Sequence, residues 1–98
     1  MKNGNNFEIV KKILDEYLIQ HGQRKTQERY TILKEIYAGE EHFDAVTLHY
    51  HLSLKQFKIS MGTIYNNMKL FEKAGLITKN RLDRRMSQYT KSLKHKFS

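Results

Sequence analysis

The sequence predicts a mainly α domain that ends in a small β-hairpin: a winged helix-turn-helix with an additional N-terminal helix. Three observations predict it. Apolar residues recur at three- and four-residue spacing in four successive stretches, each bounded by Gly, Ser, Thr or Asp. After Gly75 that period gives way to alternation on either side of a polar turn. No proline interrupts any stretch. A chain of 98 residues holds one core and has no room for a second.

The first helix is expected over Phe7 to His21, where Ile9, Val10, Ile13, Leu14, Tyr17 and Leu18 form one stripe. Gly22 is its stop, since glycine accepts the left-handed conformation that closes a helix. Thr26 is an N-cap for a second helix, about Gln27 to Tyr37. Its inner face is expected to carry Tyr30, Leu33, Ile36 and Tyr37, with Ile32 flanking. Residues 38–43 break the pattern. Asp44 then caps a third helix reaching about Gln56 through Ala45, Leu48 and Leu52. Ser60 caps a fourth, Met61 to Ala74, whose inward stripe is Ile64, Met68 and Phe71. The hairpin strands are 76–81 and 86–90. Residues 1–6 are expected to be disordered, 7–90 to form the domain, and 91–98 to be a basic tail.

Charge is the first functional signal. The chain carries 18 Lys and Arg against 10 Asp and Glu, net +8. Residues 1–75 hold 11 basic and 9 acidic side chains, whereas residues 76–98 hold 7 basic and only Asp83. A basic excess at one end of a small domain fits a polyanionic partner; the plain alternative is a charge that keeps the tail solvated. With no cysteine, a disulfide, a thiolate zinc site and a cysteine nucleophile are excluded. No apolar run reaches the length of a membrane span, and no apolar segment follows Met1 as in a secretory signal. The expected setting is therefore cytoplasmic, with no membrane partner. Catalysis has no support: Asp15/Glu16 and Glu40/Glu41 are adjacent pairs, and no nucleophile–base grouping or phosphate loop is present.

Two motifs take the reading further. One is Thr26-Gln27-Glu28-Arg29-Tyr30-Thr31-Ile32-Leu33. The other is Ser60-Met61-Gly62-Thr63-Ile64-Tyr65-Asn66-Asn67-Met68, leading into Ala74-Gly75-Leu76-Ile77, and His42-Phe43-Asp44-Ala45 lies between them. Together and in this order they resemble the N-terminal DNA-binding domain of the ferric uptake regulator family, over about residues 8–90. The resemblance implies bacterial transcription regulation through sequence-specific binding of double-stranded DNA. Family members usually continue into a C-terminal dimerisation and metal-sensing domain, expected to begin about where this chain stops. A homodimer is thus compatible with the chain but not predicted from it. Two positions depart from the family pattern: Glu28 replaces a proline, and Asn66 replaces an arginine that contacts phosphate. The departure at Asn66 keeps a rival open, a winged helix that binds protein and has lost DNA reading. A third reading is binding by charge alone.

The candidate interface follows from motif and chemistry together. The resemblance makes Tyr65 a major-groove contact; its alternative is a core tyrosine, although it is rotated about 100° from Ile64. Ser60, Thr63, Asn66, Asn67 and Lys69 are expected on the outward face and first turn of the fourth helix. There, hydroxyls and amides suit base edges and phosphates, and Gly62 allows close backbone approach. The alternative is a merely polar surface. Arg24 matches a basic residue that enters the minor groove, where arginine suits a narrow A·T tract. Lys25 and Arg29 would add phosphate contacts near a helix N-terminus, unless Arg29 forms a salt bridge within the domain. Lys79, Arg81, Arg84 and Arg85 lie on or around the wing, as phosphate contacts or as a solvated turn. His42 matches a family metal ligand, but Thr90 stands where a glutamate is usual. No metal and no cofactor are expected.

Overall fold

Three of the four helices start where a side-chain oxygen receives an otherwise unpaired backbone N–H. Residues 2–80 and 88–92 are described by a computed structural model, with side chains from residue 6 onward. The elements are α1 (Lys2–Gln20), α2 (Gln27–Ala38), β1 (His42–Asp44), α3 (Ala45–Leu54), α4 (Met61–Lys73), β2 (Ile77–Asn80) and β3 (Gln88–Lys91). Thr26 accepts from the Arg29 amide at 3.3 Å, Asp44 from Thr47 at 2.7 Å and Ser60 from Thr63 at 3.1 Å. These are the three N-caps the sequence predicts.

Helix ends follow the same logic. The Gln23 amide reaches the Leu18 carbonyl and Gly22 reaches Ile19; Leu76 reaches Phe71 and Gly75 reaches Glu72. Both are Schellman closures, and both glycines have positive φ, 62° and 81°. The end of α3 has the same pattern, Phe57 to Leu52 and Gln56 to Ser53, but the left-handed residue is Gln56 at φ 68°.

The core is one cluster. Val10, Leu14 and Leu18 from α1 meet Ile32, Leu33, Ile36 and Tyr37 from α2. Ala45, Leu48 and Leu52 of α3, Ile64, Met68 and Phe71 of α4, and Leu76, Ile77 and Tyr89 complete it. Ile32, expected to flank the α2 stripe, is fully buried, and Tyr30 is only half-buried. The α2 stripe is wider than its spacing suggested because α1 and α4 both pack on that helix. Ile9 is the α1 stripe member left exposed.

Three further expectations need correction. The α1 helix begins at Lys2, so residues 2–6, expected to be disordered, continue the helix; no proline blocks that extension. His42 and Phe43, expected only as part of the break between helices, form β1 together with the cap residue Asp44. The sheet has three antiparallel strands in the order β1-β3-β2, with His42 opposite Thr90 and Ile77 opposite Lys91. Finally, Lys91 belongs to β3 rather than to a tail. Its ammonium donates to the Gly39 carbonyl at 2.7 Å and the Tyr37 carbonyl at 3.3 Å, covering the negative end of α2. Ser92 is also tied in, its hydroxyl donating to the Gly75 carbonyl.

Candidate nucleic-acid interface

The fourth helix is divided sharply between two environments. Ile64, Met68 and Phe71 are completely buried, which anchors α4 on the core. The opposite side presents Tyr65, 40% exposed, with Ser60, Gly62, Asn66 and Lys69 also exposed. The core alternative for Tyr65 is thereby removed. A Cβ added at Gly62 would meet nothing closer than the Ser60 hydroxyl at 3.9 Å, so the first turn of α4 is open to close approach. Ser60 and Thr63 are joined to each other: the Ser60 hydroxyl donates to Thr63 Oγ1 at 3.0 Å while capping its amide.

Asn67 is the main correction on this helix. It was expected on the outward face, but it is 5% exposed. Its amide nitrogen donates to the Thr63 carbonyl at 2.9 Å, and its Oδ1 accepts from Arg29 Nη1 at 2.9 Å. A side chain held in this way is not presented to a base. Arg29 is likewise turned into the domain, but not by the salt bridge that was its alternative: its partners are the Asn67 amide oxygen and a backbone carbonyl. Its Nε donates to the Arg24 carbonyl at 2.8 Å.

The loop before α2 is linked to α4 through Arg29, which bonds both the Arg24 carbonyl and Asn67. Arg24 and Lys25 are exposed, and the Lys25 ammonium stands 4.0 Å from Asp15 of α1. Asp15 also accepts from the Tyr30 hydroxyl. Burial and the Asp15 carboxylate push the Tyr30 phenol up to about 12, with Arg29 acting against that shift. Lys79 is half-buried on β2, opposite Tyr89. Burial raises the Tyr89 phenol as well, and the charges of Glu72 and Tyr65 add to it. Arg81, Arg84 and Arg85 lie outside the described residues. His42 Nδ1 sits 3.0 Å from Thr90 Oγ1 across the sheet, and no group of three metal-ligating side chains occurs among the described residues.

The family model for the ferric uptake regulator family matches residues 20–98, most of the chain. The chain belongs to the ferric uptake regulator family. It is 39% identical over 72 residues to the ferric uptake regulation protein of Rhizobium leguminosarum bv. viciae, covering 72% of this chain and 50% of that one. It thus spans about half the length of that curated relative. The Vibrio cholerae ferric uptake regulator superposes with a TM-score of 0.70 at 26% identity, over 83% of this chain and 63% of that one. The Helicobacter pylori regulator shares the fold at a TM-score of 0.77 and 15% identity, over 88% and 57% of the two chains. Ferric uptake regulators are transcription factors and not enzymes, and the winged helix described above is homologous to their N-terminal DNA-binding part. Among the described residues no helix is long and apolar enough to cross a membrane.

The sequence did not reveal the bond from Arg29 to Asn67. Both residues were singled out, but as separate outward contacts, and nothing in local spacing links positions 38 apart.

Proposed function

We propose that this chain binds double-stranded DNA in a sequence-dependent manner and serves as the DNA-reading part of a transcription regulator. The carrying observation is the two-sided fourth helix: three fully buried anchors on one side, and Tyr65 exposed with small and amide neighbours on the other. A tyrosine there brings an apolar ring to a thymine methyl and a hydroxyl to a base edge. Asn66 and Lys69 flank it, and Ser60 and Thr63 open the helix toward phosphate. Arg24 is assigned to the minor groove and Lys25 to the backbone. Lys79 with Arg81, Arg84 and Arg85 supplies wing contacts to phosphate, which fix position without reading sequence. Arg29 and Asn67 are withdrawn from direct contact. The net charge of +8 favours the same partner. The test is binding of the chain to a duplex selected from a random pool, compared with a shuffled duplex of equal composition, across a salt series.

One observation favours the rival reading. Val46, Tyr50 and Leu54 form an exposed apolar stripe along α3, with Val46 64% and Leu54 63% exposed. A protein-binding winged helix would use such a face. The same titration separates the two: the rival predicts no duplex binding even at low salt.

A further inference from the structure

We propose that Arg29 is a positioning residue that sets the register between the two DNA-reading segments, the loop at Arg24 and the fourth helix, through Asn67. The proposal rests on the DNA-reading role given above. Three hydrogen bonds carry it. Arg29 Nε holds the Arg24 carbonyl at 2.8 Å, Arg29 Nη1 holds Asn67 Oδ1 at 2.9 Å, and Asn67 passes the link to the Thr63 carbonyl at 2.9 Å. One guanidinium therefore ties the loop that carries Arg24 to the middle of α4. Its own backbone is fixed by Thr26, whose hydroxyl and carbonyl both accept from the Arg29 amide.

The chemistry suits the task. A guanidinium is planar, and its donors leave in fixed directions, so two acceptors held at once fix the angle between their parent segments. Asn67 lies between the exposed Asn66 and the buried Met68, directly against the reading face. A shift of α4 relative to the loop would move Tyr65 and Asn66 along the groove while Arg24 stayed in place. Major- and minor-groove contacts would then fall out of phase. A lysine at position 29 would keep the charge but carry its three donors on one freely rotating nitrogen instead of a planar fork.

The experiment uses the full 98-residue chain. A preferred duplex is selected from a random pool with the unmodified chain, and a shuffled duplex of the same composition is the control. Arg29→Lys, Arg29→Gln, Asn67→Ala and the Arg29→Lys/Asn67→Ala double variant are titrated on both across a salt series, with a thermal melt of each. Each single variant is expected to lose roughly tenfold on the preferred duplex. The shuffled duplex is expected to change by less than about twofold, with its salt slope unchanged. The double variant should lose no more than either single one, because both remove the same link. Retained affinity in Arg29→Lys, together with equal loss on both duplexes and a slope reduced by about 0.9 in Arg29→Gln, would make Arg29 a phosphate contact and overturn the proposal. Lower melting temperatures with unchanged discrimination would also overturn it. If Asn67→Ala does not fold, Arg29→Lys and Arg29→Gln together decide between these outcomes. An unmodified chain that binds selected and shuffled duplexes alike overturns the DNA-reading role itself, and the register role with it.

Discussion

Tyr30 illustrates how a single side chain couples packing to pH. Its hydroxyl donates to Asp15, and burial with that carboxylate lifts its phenol from the ordinary value of 10 to about 12. The neutral phenol is thus favoured by folding. Its contribution is complete below pH 10 and is lost as pH rises through 12. The melting temperature is expected to fall steeply over that interval, and Tyr30→Phe should flatten the fall while costing about 1 kcal/mol at neutral pH. Tyr89, also raised, leaves a residual slope. A variant that melts along the same alkaline curve as the unmodified chain contradicts this account. The roles of Tyr65 and Tyr30 were only partly legible at this scale. Tyr65 could be placed outside the core because Ile64, Met68 and Phe71 already define an inward stripe by spacing. Tyr30, expected on the inner face of α2, does pack against the core but stays half-buried, and its bond to Asp15 on another helix leaves no local signal.

At the scale of elements, the helices were legible because their signals are local. Thr26, Asp44 and Ser60 each cap the helix that starts at the next residue by accepting the amide three positions on, and Gly22 and Gly75 each close one. The strand β1 was not legible. It is three residues long, and the partner that makes it a strand is 48 positions away at Thr90. Two substitutions test the cap and closure assignments. Ser60→Ala should lower stability by about 1 kcal/mol, since it removes the acceptor for the Thr63 amide. Gln56→Gly should raise stability by about 0.5–1 kcal/mol, because a glycine relieves the left-handed backbone at φ 68° by more than it adds to unfolded-chain freedom. Chemical denaturation with unchanged m-values measures both. A destabilised Gln56→Gly would mean that the side chain, and not the backbone, matters at the end of α3.

For the whole molecule, the account divides attraction from reading. On the proposed DNA-reading role, the basic residues after position 75 would attract any duplex, except Lys91, which is held at the end of α2. Removing Arg84 and Arg85 should weaken binding to every duplex alike and reduce the salt slope by about 0.9 per lost contact. Metal should play no part in this chain. With no cysteine, and with His42 beside Thr90, zinc, iron or manganese is expected to change neither melting temperature nor duplex affinity. A rise of several degrees with stoichiometric zinc contradicts that. The central claim is that the exposed face of α4 reads sequence, and Tyr65→Ala tests it most directly. Paired isotherms on the selected and shuffled duplexes should show a loss of roughly 1–3 kcal/mol on the selected one and almost none on the shuffled one. The melt should fall by less than the ~3 kcal/mol of a buried aromatic truncation. Equal losses on both duplexes, or no loss on either, would contradict the claim.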